Sequence, residues 1–252
     1  MISIATITNK QDHHIYRNIF NNYLTQSYTD KELILIINRG NIDKEDTVDP
    51  YQSMYTNTTD GIDIYKNILC EILAERDITK QAQELIKNTV KIYKFPFNTL
   101  GDCLNKSALL ARGLYWSKFD DDDKYSSKYL ENSLLYLKKS GADIVGKRRV
   151  FVEDKQTNSL YLTNTDKQQT HTMTRFIRGP TFFCQRTLVL QLQFPHINKG
   201  EDSEFLRRCI KANRQIYTTD ENDFVYIRNS KIGQTTTMSL AKILGGHYTK
   251  LN

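Results

Sequence analysis

The sequence has no long apolar stretch and few cysteines or prolines, and these absences exclude several classes of protein. Its longest continuous apolar run extends only from Leu33 to Ile37, whereas a helix needs roughly 20 apolar residues to span a bilayer. The 4 cysteines are scattered and form no CxxC pair, so neither a zinc site nor a disulfide framework is indicated. Because the 4 prolines are also spread apart and no internal repeat is present, the sequence favours one continuous domain.

Several common functional signals are missing as well. The sequence contains no Walker-type phosphate loop, no HExxH motif and no GxSxG motif. Its N-terminal residues, MISIATI, are typical of a buried strand and lack the basic start and small-residue exit of a secretory signal. We therefore expect a cytoplasmic protein, either free or attached peripherally to the inner face of a membrane.

The charge balance is positive but does not identify a partner. The net charge is +6, from 35 Lys and Arg against 29 Asp and Glu. A positive field attracts nucleic acid, an anionic membrane face and phosphate-bearing substrates alike. The basic residues form no single long block, so charge by itself does not choose among these partners.

Strand-like and helical segments alternate along the first half of the chain. Short apolar runs at residues 2–7, 32–37, 91–95 and 114–119 predict strands, and segments with helical spacing of apolar residues lie between them. The run at residues 32–37 is apolar on both faces, as in a central parallel strand that helices cover. The alternation predicts an α/β fold with a mixed, mostly parallel open sheet flanked by helices.

The rest of the chain is less regular. We predict a hairpin over residues 149–162, a helix over residues 202–212 and a strand over residues 224–228. Residues 41–77 are polar and predict no clear element, and the tail from residue 230 is weakly patterned.

Four consecutive aspartates, Asp120 to Asp123, directly follow the strand predicted at residues 114–119. Ligands of open α/β sheets bind beyond the carboxyl ends of the strands. Like charges at such short separations repel one another unless a cation or hydrogen-bond donors compensate them. Oxygen ligands suit Mg²⁺ or Mn²⁺ with positions left open for substrate phosphates. A solvated acidic turn is the alternative interpretation, and the position after a buried strand makes it the weaker one.

A second acidic segment, GEDSE at residues 200–204, opens a predicted helix. The helix dipole favours carboxylates in the first turn, so capping is the simpler explanation of this segment. The functional alternative is a general base aimed at an acceptor hydroxyl. Taken alone, the segment does not decide between them.

Together, the two acidic segments resemble motifs of the family 2 glycosyltransferases of the GT-A fold. Residues 101–105, 118–125 and 141–147 resemble the region around the DxD motif of that family. Residues 179–183 and 200–206 are similar to its acceptor-side strand and its ED motif. The order and spacing of these segments fit the family over most of residues 1–228.

The resemblance implies an inverting, metal-dependent transferase that moves a sugar from a UDP-sugar to a hydroxyl group. A hexosyl- or N-acetylhexosaminyltransferase of bacterial surface-polysaccharide synthesis is implied, with Mn²⁺ or Mg²⁺ as cofactor. Residues 1–228 would form one GT-A domain, with the nucleotide sugar bound by residues 1–125 and the acceptor by residues 126–228. Residues 229–252 have no implied role. We expect a glycan, polyol-phosphate or lipid-linked acceptor and no nucleic acid partner.

The resemblance also implies roles for individual residues. It places the catalytic base at Asp202 and the metal ligands at Asp120 and Asp122. Contacts to the nucleotide sugar are implied for Thr6, Asn9, Asn38, Asn105, Asp120 and Asp121. Contacts to phosphate or acceptor are implied for Arg175, Arg178, Glu201 and His247. Asn38 falls where many members of the family have Asp, and an amide both donates and accepts hydrogen bonds where a carboxylate only accepts.

Two other functions share some of these features. A metal-dependent nucleotidyltransferase would have the same type of sheet and the same acidic cluster, but residues 8–11, TNKQ, are not the glycine-rich basic loop that it would normally carry. A nucleic-acid-binding module would account for the positive charge and the 15 tyrosines. It would leave the acidic cluster unexplained, because carboxylates repel phosphate unless a metal intervenes.

Overall fold

The structure is a computed structural model that describes residues 1–10, 12–38, 63–76, 78–95, 99–163, 170–228, 240–245 and 247–251. Its strands are β1 (Ile2–Thr8), β2 (Lys31–Asn38), β3 (Val90–Phe95), β4 (Tyr115–Lys118), β5 (Lys124–Tyr125), β6 (Ile144–Gly146), β7 (Phe151–Asp154), β8 (Ser159–Thr163), β9 (Thr172–Thr174), β10 (Phe183–Gln185), β11 (Ile216–Thr218), β12 (Phe224–Arg228) and β13 (Tyr248–Lys250). Its helices are α1 (His13–Leu24), α2 (Asp63–Ala74), α3 (Lys80–Thr89), α4 (Leu100–Leu110), α5 (Tyr129–Ser140), α6 (Arg186–Leu192), α7 (Glu201–Lys211) and α8 (Leu240–Leu244). Each of these helices is too short or too polar to cross a membrane.

The main sheet has eight strands in the order β3-β2-β1-β4-β10-β6-β11-β9. All of them except β9 and β10 run in the same direction. Strand β2 lies between β1 and β3 and is buried along its length from Glu32 to Ile37. The predicted mixed, mostly parallel sheet and its doubly covered central strand are therefore confirmed.

Helices cover both faces of this sheet. Because successive side chains of a strand point to opposite faces, Ile4 packs in the core formed with α1, α2 and α5, and Ala5 packs in the core formed with α4, α6 and α7. The largest side chain in the second core is Trp116, which is fully buried. The two cores fix the direction of β1 and β4, whose carboxyl ends carry the candidate site.

A second sheet of five strands, in the order β13-β8-β7-β12-β5, was not expected from the sequence. It contains the predicted hairpin as the antiparallel pair β7 and β8. Its edge strand β5 directly follows the aspartates and pairs with β12. A strand of two or three residues has no measurable periodicity, so β5, β9 and β13 escaped prediction.

The structure also adds helices to two segments that gave no pattern. Helix α2 lies within residues 41–77, and residues 41–62 and 77 of that segment lie outside the described ranges. In the tail, α8 and β13 are formed, while residues 229–239 lie outside the described ranges.

Candidate active site

The acidic cluster, Asp120 to Asp123, lies at the carboxyl edge of the main sheet. Strands β1 and β4 are parallel neighbours, so the loops that follow them meet at the same edge. The Thr8 hydroxyl donates to Asp121 Oδ2 over 2.6 Å. Lys10 Nζ lies 3.0 Å from Asp121 Oδ1 and 3.0 Å from Asp122 Oδ2. The loop after β1 therefore places a cation on the middle of the acidic cluster.

The backbone of the acidic cluster is held by helix α1. Asn18 Nδ2 donates to the carbonyls of Asp121 and Asp123, at 2.9 Å each, and Asn22 Nδ2 donates to Asp123 O over 2.9 Å. Residues four apart on a helix share a face, which is why both amides reach the same loop. With Asp121 only 7% and Asp123 only 1% exposed, two of the four aspartates are buried and the loop is held by hydrogen bonds, which argues against the interpretation as a solvated acidic turn.

Burial of these carboxyl groups changes their proton affinity. Burial raises the pKa of Asp120 to about 7, with Lys118 acting in the opposite direction and neighbouring carboxylates adding to the rise. The pKa of Asp121 is also raised by burial and by Asp122, although Lys10 and Thr8 oppose the change. Asp123 Oδ1 accepts from Ile227 N over 2.9 Å. Its Oδ2 is buried and has no hydrogen-bond partner within the described part of the chain.

Asp202 meets the acidic cluster through a buried lysine at the end of β4. Lys118 Nζ lies 2.8 Å from Asp202 Oδ2 and 3.1 Å from Asp202 Oδ1. The same nitrogen lies 3.4 Å from Asp120 Oδ1 and 3.9 Å from Glu201 Oε1. Burial acts to lower the pKa of Lys118, but the three carboxylates outweigh it and raise the pKa above the ordinary value. The structure thus brings the two acidic motifs of the sequence together around one ammonium group.

Tyr125 forms a second link between the two sides. Its hydroxyl accepts from Asp120 N over 2.9 Å and donates to Pro180 O over 2.8 Å. Its ring stacks on Phe119 with centroids 3.7 Å apart. Sequence reasoning missed Lys118 and Tyr125 as members of the site, although a lysine beside aspartates at the end of an apolar strand was a usable signal.

Gly179 closes the site behind Asp202. A Cβ atom built on Gly179 would lie 1.6 Å from Asp202 Oδ2, so no side chain fits there while Asp202 keeps its position. The Asp202 carboxylate is therefore held between the Gly179 backbone and the Lys118 ammonium group.

We expect Gly179→Ala to lower turnover by at least about tenfold, because the added methyl group must displace the Asp202 carboxylate and misplacement of a reacting group is costly. Steady-state kinetics with a nucleotide sugar measures this effect. Gly141→Ala is the matched control, since Gly141 has φ 68° and open space around its missing Cβ. That change should cost about 1–2 kcal/mol of stability and leave turnover unchanged. Equal turnover in both variants would contradict the role given to Gly179.

The polar residues for which the family resemblance implies contacts to the nucleotide sugar differ in their burial and hydrogen bonding. Thr6 is buried within β1, whereas Asn9 is exposed in the loop after it. Asn38 ends β2, and its Oδ1 is buried without a hydrogen-bond partner among the described residues. Asn105 Nδ2 donates to Phe194 O over 2.9 Å and its Oδ1 accepts from Phe194 N over 2.7 Å. A structural role therefore accounts for the Asn105 amide.

The basic candidates lie apart from the acidic cluster. Arg178 donates to the carbonyls of Arg148 and Ile243, at 3.3 Å and 3.2 Å, and so holds the end of α8. Arg175 is exposed after β9, and His247 is exposed before β13. Within the described ranges, no hydrogen bond or ion pair joins Arg175 or His247 to the acidic cluster.

The donor set at this edge fits a hard divalent cation that arrives with a phosphate-bearing ligand. No group of three His, Cys, Asp or Glu side chains in the described ranges is arranged to hold a metal by itself. Mg²⁺ is commonly bound through one or two carboxylates together with substrate phosphates and waters. Asp120 and Asp122 provide two such carboxylates, and Asp123 Oδ2 is a buried acceptor atom without a hydrogen-bond partner in the described ranges.

No protein-family model and no curated protein matches the sequence. Solved structures do match the fold. TarS residues 1–349 from S. aureus, in complex with UDP-GlcNAc, has a TM-score of 0.60 at 13% identity over 95% of this chain and 61% of that chain. A further structure of S. aureus TarS has a TM-score of 0.55 at 13% identity over 90% of this chain and 36% of that chain.

A third solved structure extends the comparison to another nucleotide. The mannosyltransferase PcManGT from Pyrobaculum calidifontis, in complex with GDP-Man and Mn²⁺, has a TM-score of 0.57 at 14% identity over 90% of this chain and 56% of that chain. The chain thus spans about three-fifths or less of the length of these proteins. The comparisons confirm the predicted fold class, a mixed α/β fold with a large, mostly parallel sheet.

Proposed function

We propose that this protein is a glycosyltransferase that moves a sugar from a nucleoside-diphosphate sugar to a hydroxyl acceptor. The observation that carries the proposal is the convergence of Asp120, from the loop after β4, and Asp202, from the first turn of α7, on the Lys118 ammonium group. Two acidic groups at one sheet edge suit a reaction between a phosphate-bearing donor and an acceptor that must lose a proton. One group can act beside the phosphates and the other can take the proton. The folds matched above include proteins bound to UDP-GlcNAc and to GDP-Man with Mn²⁺, which supports the donor class.

The finer proposal follows the family 2 resemblance. It is an inverting transfer of a hexosyl or N-acetylhexosaminyl group from a UDP-sugar, with a bacterial surface glycan, a polyol phosphate or a lipid-linked precursor as acceptor. The positive net charge of the chain, +6, suits an acceptor that carries phosphate.

The proposal assigns a role to each acidic residue of the site. Asp202 accepts the proton of the acceptor hydroxyl, which then attacks the anomeric carbon from the side opposite the leaving diphosphate. Asp120 and Asp122 would hold Mg²⁺ or Mn²⁺, which when bound stabilises the charge of the leaving diphosphate. Glu201 lies in the first turn of α7 beside Asp202, and burial and Asp202 raise its pKa.

A thermal-shift panel tests the donor class directly. UDP, GDP, CDP and TDP are each added with and without Mn²⁺, and a ligand that binds the folded state raises the melting temperature. We expect a metal-dependent rise with one nucleotide, UDP being the proposed one. A protein that none of the four stabilises, in either condition, is not a transferase of this class.

Lys10 supplies a prediction about the metal itself. Its ammonium group lies 3.0 Å from Asp122 Oδ2, so it competes with a divalent cation for this carboxylate. We expect Lys10→Met to tighten Mn²⁺ binding to the protein in the presence of UDP by about tenfold, measured by calorimetry, since about 1.4 kcal/mol of a charge-assisted contact no longer opposes the metal. Lys124→Met removes an equal charge from an exposed pair with Glu153 and should leave the affinity unchanged. Weaker Mn²⁺ binding in Lys10→Met would mean that the lysine assists the metal.

A further inference from the structure

Lys118 is a buried cation shared between the two acidic motifs. Only 5% of its side chain is exposed, and its nitrogen lies within 4 Å of carboxylates of Asp120, Glu201 and Asp202. The contacts are unequal. Both oxygens of Asp202 lie within hydrogen-bond distance, at 2.8 Å and 3.1 Å, whereas Asp120 and Glu201 lie at 3.4 Å and 3.9 Å. Asp202 is therefore the main partner of Lys118.

The arrangement limits the orientations that the Asp202 carboxylate can adopt. Gly179 lies against one of its oxygens so closely that a Cβ atom would overlap it. Lys118, at the end of β4, donates hydrogen bonds to both oxygens of Asp202. The Asp202 side chain remains 22% exposed. A carboxylate held on two sides and open on a third presents a fixed direction to whatever binds from the open side.

We propose that Lys118 is a positioning residue that orients Asp202 toward the acceptor, an inference that rests on the proposed glycosyltransferase function. A proton acceptor works only within hydrogen-bond distance of the proton that it removes. Asp202 lies in the first turn of α7 and Lys118 ends β4. The lysine thus fixes a side chain of one element relative to the sheet edge where the donor binds.

A merely structural role would predict a different result. If Lys118 only neutralised buried carboxylates, its loss would lower the melting temperature without changing the turnover of the folded protein. If it acts through Asp202, its effect on kcat must disappear once Asp202 can no longer accept a proton. The coupling between two substitutions in a double-mutant cycle separates these cases.

The experiment uses the full chain, the nucleotide sugar whose nucleotide gives the largest thermal shift, and water as the acceptor. Release of nucleoside diphosphate is followed for the unchanged protein, Lys118→Met, Asp202→Asn and the double variant. We expect Lys118→Met to lower kcat by about 10- to 100-fold, as expected for a misplaced reacting group, with the donor KM changed less than about threefold. In the Asp202→Asn background, the same substitution should change kcat by less than about threefold.

Lys147→Met and the double variant guard against misfolding as the cause. Lys147 is another lysine with a 5% exposed side chain, paired with Asp220 instead of with the site, so Lys147→Met should lower the melting temperature and leave kcat unchanged. The double variant removes both charges of the Lys118–Asp202 pair, so it leaves no unpaired partner from that pair if Lys118→Met alone fails to fold. It should then fold and match Asp202→Asn in turnover.

The outcomes separate the two levels of the proposal. If the unchanged protein neither binds nor hydrolyses any nucleotide sugar, the proposed function is wrong. If the unchanged protein turns over, three results would overturn the inference that Lys118 positions Asp202. Lys118→Met could keep a normal kcat, it could raise only KM, or it could lower kcat by the same factor in the presence and absence of the Asp202 carboxylate.

Discussion

Replacing Asp202 by Asn is expected to lower sugar transfer by about 10²- to 10⁴-fold, the usual contribution of a positioned proton acceptor. The amide has nearly the shape of the carboxylate but cannot take the proton of the acceptor hydroxyl. Because Asp202 lies on α7, in the half of the chain to which the proposal assigns the acceptor, nucleoside diphosphate and metal should bind nearly as before. The loss should therefore appear mainly in kcat, which steady-state kinetics separates from KM.

Glu201→Gln is the matched control for this prediction. Glu201 precedes Asp202 in the same helical turn and lies 3.9 Å from the same lysine nitrogen, but it makes no hydrogen bond to Lys118. We expect a milder loss of turnover, since Glu201 is only 6% exposed and contributes to the charge of the site from a greater distance to Lys118 than Asp202 does. Near-normal turnover of Asp202→Asn with its true acceptor would make Asp202 a helix cap and the assignment of the base wrong.

The location of the site was predictable because parallel strands bring distant segments to one edge. The strands at residues 2–7 and 114–119 were visible as apolar runs, and the aspartates follow the second of them. The position of Asp202 at a helix start was also visible in the sequence. Their meeting across a sequence separation of 84 residues, measured from Lys118 to Asp202, required the fold. The sequence therefore predicted the acidic groups of the site but not the contact that joins them.

The cations of the site were not predicted, for a physical reason. Lysine is common on surfaces, so Lys10 looks ordinary in a chain with 35 Lys and Arg, and Lys118 is marked only by its place between an apolar strand and the aspartates. What distinguishes them is burial against carboxylates, which depends on three elements at once. Asn18 and Asn22 were missed for the same reason. Their spacing is visible in the sequence, but their hydrogen-bond partners, the carbonyls of the acidic cluster, are known only from the fold. Asn105 illustrates the converse, because its position suggested a ligand contact and its amide bonds the Phe194 backbone.

Replacing Asp122 by Ala is expected to abolish the Mn²⁺-dependent part of nucleoside-diphosphate binding while the protein remains folded. Asp122 is a partly exposed metal candidate, with a side chain that is 27% exposed and paired only to Lys10 in the described part of the chain. Removing it relieves repulsion with Asp121 and leaves no buried partner unpaired, so a large loss of stability has no mechanism here. Calorimetric titration of UDP with and without Mn²⁺ measures the effect, and a thermal melt checks the fold.

The control for Asp122→Ala is an aspartate away from the site. Asp30 is 66% exposed and pairs with the N-terminus, so Asp30→Ala removes the same charge from the protein and should keep the full metal dependence. Because the Lys10 ammonium loses one of its two carboxylates in Asp122→Ala, it can turn to the diphosphate and preserve some metal-independent affinity. The decisive quantity is therefore the ratio of UDP affinities with and without Mn²⁺, which should fall to about 1 in Asp122→Ala. A ratio equal to that of the unchanged protein would show that the metal is bound elsewhere, and the assignment of Asp122 would then be wrong.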